Sequence, residues 1–159
     1  MLADGALLSV LASVWILLLL RLNPRLFLQD YPKDIRDRVP PKTPAERRTS
    51  LLLGMPFLIL LMAVPSISTW RVKQDSVGHA TLWALAAHAF GVAFIFNVVD
   101  WLVLDWALVC TITPSFVVIP GTAGLAGYKN YAYHFRGFLI GTVVSAVAGL
   151  VIGAVVYLL

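Results

Sequence analysis

Apolar residues run along this chain in long blocks separated by short polar stretches. The blocks cover approximately residues 2–22, 51–70, 82–110 and 137–159. Each is long enough for an α-helix to cross the roughly 30 Å of hydrocarbon in a bilayer, which takes about 20 residues. The pattern predicts an all-α polytopic integral membrane protein. A single domain over residues 1–159 would hold a bundle of four transmembrane helices.

The polar stretches punctuate the blocks with recognisable signals. Asn23-Pro24 stops the first helix, because proline donates no backbone hydrogen bond and biases the residue before it away from helix. Residues 23–50 follow as a proline-rich loop carrying Pro24, Pro32, Pro40, Pro41 and Pro44, with one or two helical turns expected after Pro32. Thr43-Pro44-Ala45-Glu46 has the spacing of a capping box, so the second helix should begin in water near Pro44 and enter lipid near Leu51. Pro56 and Pro65 should bend it, and residues 71–79 read as a short turn. The third apolar run extends to Ile119, too long for one straight span. Residues 82–110 are therefore read as the span and residues 111–119 as a re-entrant or interfacial piece. A loop rich in glycine and aromatics should then run to Arg136; a fifth span within the run is the alternative.

Composition sharpens this picture. Sixty per cent of the residues are hydrophobic and only 13% are charged, about half the charged share of a typical soluble domain. That excludes a soluble enzyme, a nucleic-acid-binding domain and a disordered chain. The single cysteine, Cys110, lies in an apolar run and should act as a small hydrophobe. The N-terminus lacks the basic region of a cleavable signal peptide, so the first span is expected to stay. Most lysines and arginines fall in loops 23–50 and 111–136, which the positive-inside rule places in the cytoplasm. Both termini would then be non-cytoplasmic, in the cell (inner) membrane.

Two further patterns carry chemistry. Gly137, Gly141, Ser145, Gly149 and Gly153 put a small residue at every fourth position of the last span, which predicts close helix packing, within the chain or in a homo-oligomer. Asn97, Asp100 and Asp105 place polar groups in the third span, where ionisable residues turn inward and serve function. At about 100° per residue, Asp100 and Asp105 stand about 140° apart, flanking Asn97 on one broad face, while His88 and Trp106 point away. Lys129, His134 and Arg136 could be offered by the following loop to a phosphate or carboxylate. No metal site or cofactor is expected. Membrane lipids are the expected partners, with a homo-oligomer or larger membrane complex and no nucleic acid. The leading expectation is an ion- or proton-linked transporter or channel-like oligomer. The alternatives are a membrane-embedded enzyme acting on a lipid or isoprenoid, and an accessory or scaffold subunit.

Overall fold

The computed structural model describes residues 1–76 and 79–159; Val77 and Gly78, in the expected 71–79 turn, lie outside the described residues. The protein is 83% helical, with no strands among the described residues. Its long elements are α1 (Leu2–Leu22), α3 (Pro44–Asp75), α4 (Leu82–Val99) and α5 (Tyr131–Leu158), with a short α2 (Lys33–Arg36) between the first two. A π-helical segment, Asp100–Ile112, continues α4 without a break. Counting α4 with this segment, four helices are long and apolar enough to cross a membrane.

Local chemistry explains the helix starts. The Thr43 hydroxyl accepts from Glu46 N at 3.2 Å, and Glu46 Oε2 accepts from Thr43 N at 2.8 Å, so the capping box forms as its spacing predicts. Asn130 Oδ1 accepts from Tyr133 N at 3.0 Å and starts α5 there. Residues 131–136, expected in a loop, are therefore the first turns of the last helix. At the other end of α3, residues 71–75 extend the helix instead of turning. Pro56 and Pro65 both lie inside this one 32-residue element.

The helices alternate in direction. Gly149 lies against Phe90 and Gly153 against Ala86, so α5 runs antiparallel to α4. Met1 lies against Gly91 and Gly5 against Ile95, so α1 runs parallel to α4. Asp4 meets Ser68 and Trp15 meets Leu53, so α3 runs opposite to α1. Two cores fill the half of the bundle that holds the start of α1. One joins Leu8, Ala12, Val92 and Phe96 with Phe57 and Val64; the other joins Leu85, Ala89, Ile152 and Val156.

The opposite end is covered by a cap built from two loops. Leu28, Tyr31 and Ile35 of the first connector pack on Ile119 and Tyr128 of the second. The Tyr31 hydroxyl donates to Val117 O at 2.8 Å, and Asp34 Oδ2 accepts from Gly127 N at 2.8 Å. Residues 113–119 contain only the turn Ser115–Val117, and Val117 and Ile119 are buried in this cap. Arg25 pairs with Glu46 through Nε at 2.7 Å from Oε1, which holds the guanidinium pKa above its usual value. Lys42 donates to Leu26 O, Gln29 Oε1 and Ser50 Oγ, and burial lowers its ammonium pKa.

Candidate functional site

Between the packed half of the bundle and the cap lies a cavity of about 630 Å³. Leu19, Leu104, Leu108 and Ile140 give it apolar walls, and Trp15, Phe27 and Phe57 give it aromatic ones. Asp30, Asp100, Asp105, Asn97, His134 and Arg136 supply its charged and strongly polar groups. α1, the connector, α3, the α4–π helix and α5 all contribute.

The π segment decides how the carboxylates face. Its backbone bonds run from residue i to i−5, as from Thr113 N to Leu108 O at 2.8 Å. Residues five apart are then stacked one turn above another, instead of lying about 140° apart as in an α-helix. The indoles of Trp101 and Trp106 accordingly meet edge to face with centroids 4.8 Å apart. By the same register Asp100 and Asp105 both line the cavity. The expected divergence of these two aspartates is thus replaced by alignment, because the helix widens at Asp100. Trp106, expected on the back of the helix, packs edge to face on Tyr131, and its Nε1 donates to Tyr131 O at 3.3 Å.

The three carboxylates differ in their partners. Asp105 Oδ1 lies 2.9 Å from His134 Nδ1, across the π segment and α5. At this separation the two groups form an ion pair whenever the imidazole is protonated. Nε2 is buried and has no partner among the described residues. Asp100 and Asp30 likewise have no hydrogen-bond or ion-pair partner there. Asp30 keeps an exposed face, and desolvation by the protein packed around it raises its carboxyl pKa; Lys42 and Arg36 oppose the shift and Asp105 adds to it. Tyr31, deeper under the cap, is also raised by burial.

The other expected site residues divide. Asn97 lines the cavity, but its Nδ2 donates to Phe138 O at 3.1 Å and Thr142 Oγ1 at 3.0 Å. It therefore clasps α4 to α5. Arg136 lines the cavity and is exposed. Lys129 does not line it: its Nζ donates to Thr111 O at 2.9 Å and Thr113 Oγ1 at 2.7 Å, holding the end of the π segment where Thr113 adopts a left-handed φ of 51°.

Gly141 abuts Asn97, while Ser145, Gly149 and Gly153 are buried, the two glycines against α4. The row thus meets a helix of the same chain, except that a Cβ on Gly137 would meet no other part of the fold within 4 Å. His88 lies away from the cavity, its Nε2 2.7 Å from Ser68 Oγ, which donates to Asp4. Among the described residues no group of three or more His, Cys, Asp or Glu is placed to hold a metal ion.

Asp30, Trp15 and Phe27 are cavity residues that the sequence did not single out. They reach the site through tertiary folding of the connector and α1, and no local motif marks them. No protein family, curated protein or solved structure matches the chain.

Proposed function

We propose that this is an integral membrane protein that binds a small amphiphilic molecule in the capped cavity and links its movement to a proton or cation at Asp100. Exposed apolar side chains on the outer faces support insertion: Leu51, Leu58 and Ile59 of α3, and Val143, Val147 and Leu150 of α5. In water such faces would drive aggregation; in lipid they are solvated. Every lysine and arginine except Arg71 and Lys73 lies at the capped end, which favours a cytoplasmic cap and external termini, in the inner membrane of a cell.

The observation that carries the reading is a single cavity with apolar walls and partnerless carboxylates. Apolar walls receive a tail or ring, and polar groups at one end orient the head. The packed half beneath, from Phe57 to Leu8, favours a carrier with access from one side over an open channel. The small-residue row is occupied within the chain, so it lends no support to a homo-oligomer.

Uptake into proteoliposomes tests this. Trace radiolabelled amphiphiles with cationic, zwitterionic, neutral and anionic heads would be offered under pH gradients of both signs. At least one should accumulate with the gradient, and Asp100→Asn should abolish that response while circular dichroism is retained. Uptake equal to empty liposomes for every probe would refute the reading.

A second reading has its own support. The Asp105–His134 contact, with Nε2 lacking a partner among the described residues, offers a candidate general base in the cavity, as an enzyme acting on a lipid would need. Turnover of a lipid ester that is lost in His134→Gln, with no gradient-driven uptake, would favour it.

A further inference from the structure

The donors and acceptors around the cavity are unequal, and the inequality assigns a ligand class. Trp15 Nε1 is committed to Leu53 O at 2.9 Å, Tyr31 Oη to Val117 O, and Tyr133 Oη to Tyr31 O at 3.4 Å. The Asn97 amide donates to α5. The Tyr128 hydroxyl is held between Ile119 N at 2.9 Å and Thr122 Oγ1 at 2.7 Å. What remains open is mostly acceptor: the Asp30 and Asp100 carboxylates, with no hydrogen-bond or ion-pair partner among the described residues. Asp105 adds a third negative charge, shared with His134. Among the described residues, Arg136 is the one charged donor lining the cavity without a partner. Aromatic rings complete the lining, and their π-faces attract cations.

We infer that the cavity takes a lipophilic organic cation, its positive centre between Asp30 and Asp100 and its apolar body against Trp15, Leu19, Leu104 and Phe57. An anionic head would meet the Asp30, Asp100 and Asp105 carboxylates and find only Arg136 in the lining to receive it. A neutral head would bring no positive charge to Asp100, which has no ion-pair partner among the described residues. This inference rests on the proposed binding role of the cavity and adds the sign of the ligand's charge.

A pair of nearly isosteric ions of opposite sign separates charge from shape. Tetraphenylphosphonium and tetraphenylborate would be titrated calorimetrically into the full chain in zwitterionic nanodiscs, with empty discs subtracted. Saturable binding of the cation should be at least ten-fold tighter than that of the anion. Asp30→Asn with Asp100→Asn should weaken cation binding ten-fold or more. Arg136→Gln should tighten it, a gain that misfolding cannot mimic. Equal affinity for the two ions, preference for the borate, or no saturable binding of either would overturn the inference. If gradient-driven uptake of a neutral, zwitterionic or anionic probe persists in those cases, the cavity reading survives and the charge assignment alone fails.

Discussion

Replacing Gly149 by alanine should destabilise the protein, whereas the same change at Gly137 should not. A Cβ on Gly149 would sit 2.8 Å from Phe90 N and 2.9 Å from its Cα. Carbon atoms pack best at about 3.5–4.0 Å, so α4 and α5 would have to separate by roughly 0.7 Å or more. The atoms in the way are the Phe90 backbone and its Cβ, which cannot rotate aside. Overpacking of this kind typically costs about 1–3 kcal/mol. Both glycines are helical, and alanine gains about 0.8–1.0 kcal/mol of helix propensity at either place. At Gly137, where a Cβ would meet no other part of the fold within 4 Å, that gain stands alone. The two variants should therefore differ by about 1–3 kcal/mol, the propensity term cancelling. Thermal unfolding in nanodiscs, followed by circular dichroism against a denaturant series, measures the difference. Equal stability of Gly149→Ala and Gly137→Ala would refute the close crossing of α4 and α5.

Other consequences are open to measurement. Thr43→Ala removes the side-chain half of the capping box and should cost about 1 kcal/mol, read from denaturant midpoints. Asn97→Leu deletes the clasp on α5 and should cost about 0.6–1.7 kcal/mol, the range for polar contacts between membrane helices; a neutral or stabilising effect would sink the clasp. Desolvation raises the folded-state pKa of Asp30, so the folded protein holds this proton more tightly than the unfolded chain. Its contribution is most favourable below the unfolded pKa and is lost as pH rises through the raised folded value. Asp30→Asn should accordingly raise Tm at pH 7 more than at pH 3, and an equal shift at both would contradict the desolvation of this carboxyl. Trp101 and Trp106 should give an exciton couplet in circular dichroism that disappears equally in Trp101→Phe and Trp106→Phe; unchanged spectra would count against the π register.

The features legible in the sequence share a local cause. Four apolar segments announce four long helices because length and hydropathy are properties of contiguous residues. Thr43 and Glu46 announce a helix start because both halves of the box lie within one turn. The row from Gly141 to Gly153 marks a packing stripe, although only the fold shows that Phe90 and Ala86 occupy it. The features that escaped need information that a fixed period does not hold. Asp105 turns toward Asp100 only because the helix widens, and an angle computed at 100° per residue misplaces it. Asp30 sits in a basic, proline-rich connector and becomes a cavity residue only when that connector folds over the bundle. Residues 131–136 look like an interfacial loop by their aromatics and cations, yet Asn130 caps them into α5.

The cap also bears on the order in which the chain can mature. Its halves come from two helical hairpins, the connector between α1 and α3 and the loop between α4 and α5. Tyr31 and Val117 are 86 residues apart, and Asp34 and Gly127 are 93. Closing contacts of such separation is slow compared with forming local ones, because the loop entropy is spent before the contact is made. During synthesis the first hairpin must wait with Leu28, Tyr31 and Ile35 uncovered until the second has emerged. A chain stopped after α3 would keep that surface bare and would lack most of the cavity. Burial of Tyr31 thus reports that both hairpins have been made and joined, and protection of this tyrosine is a natural clock for the protein's assembly.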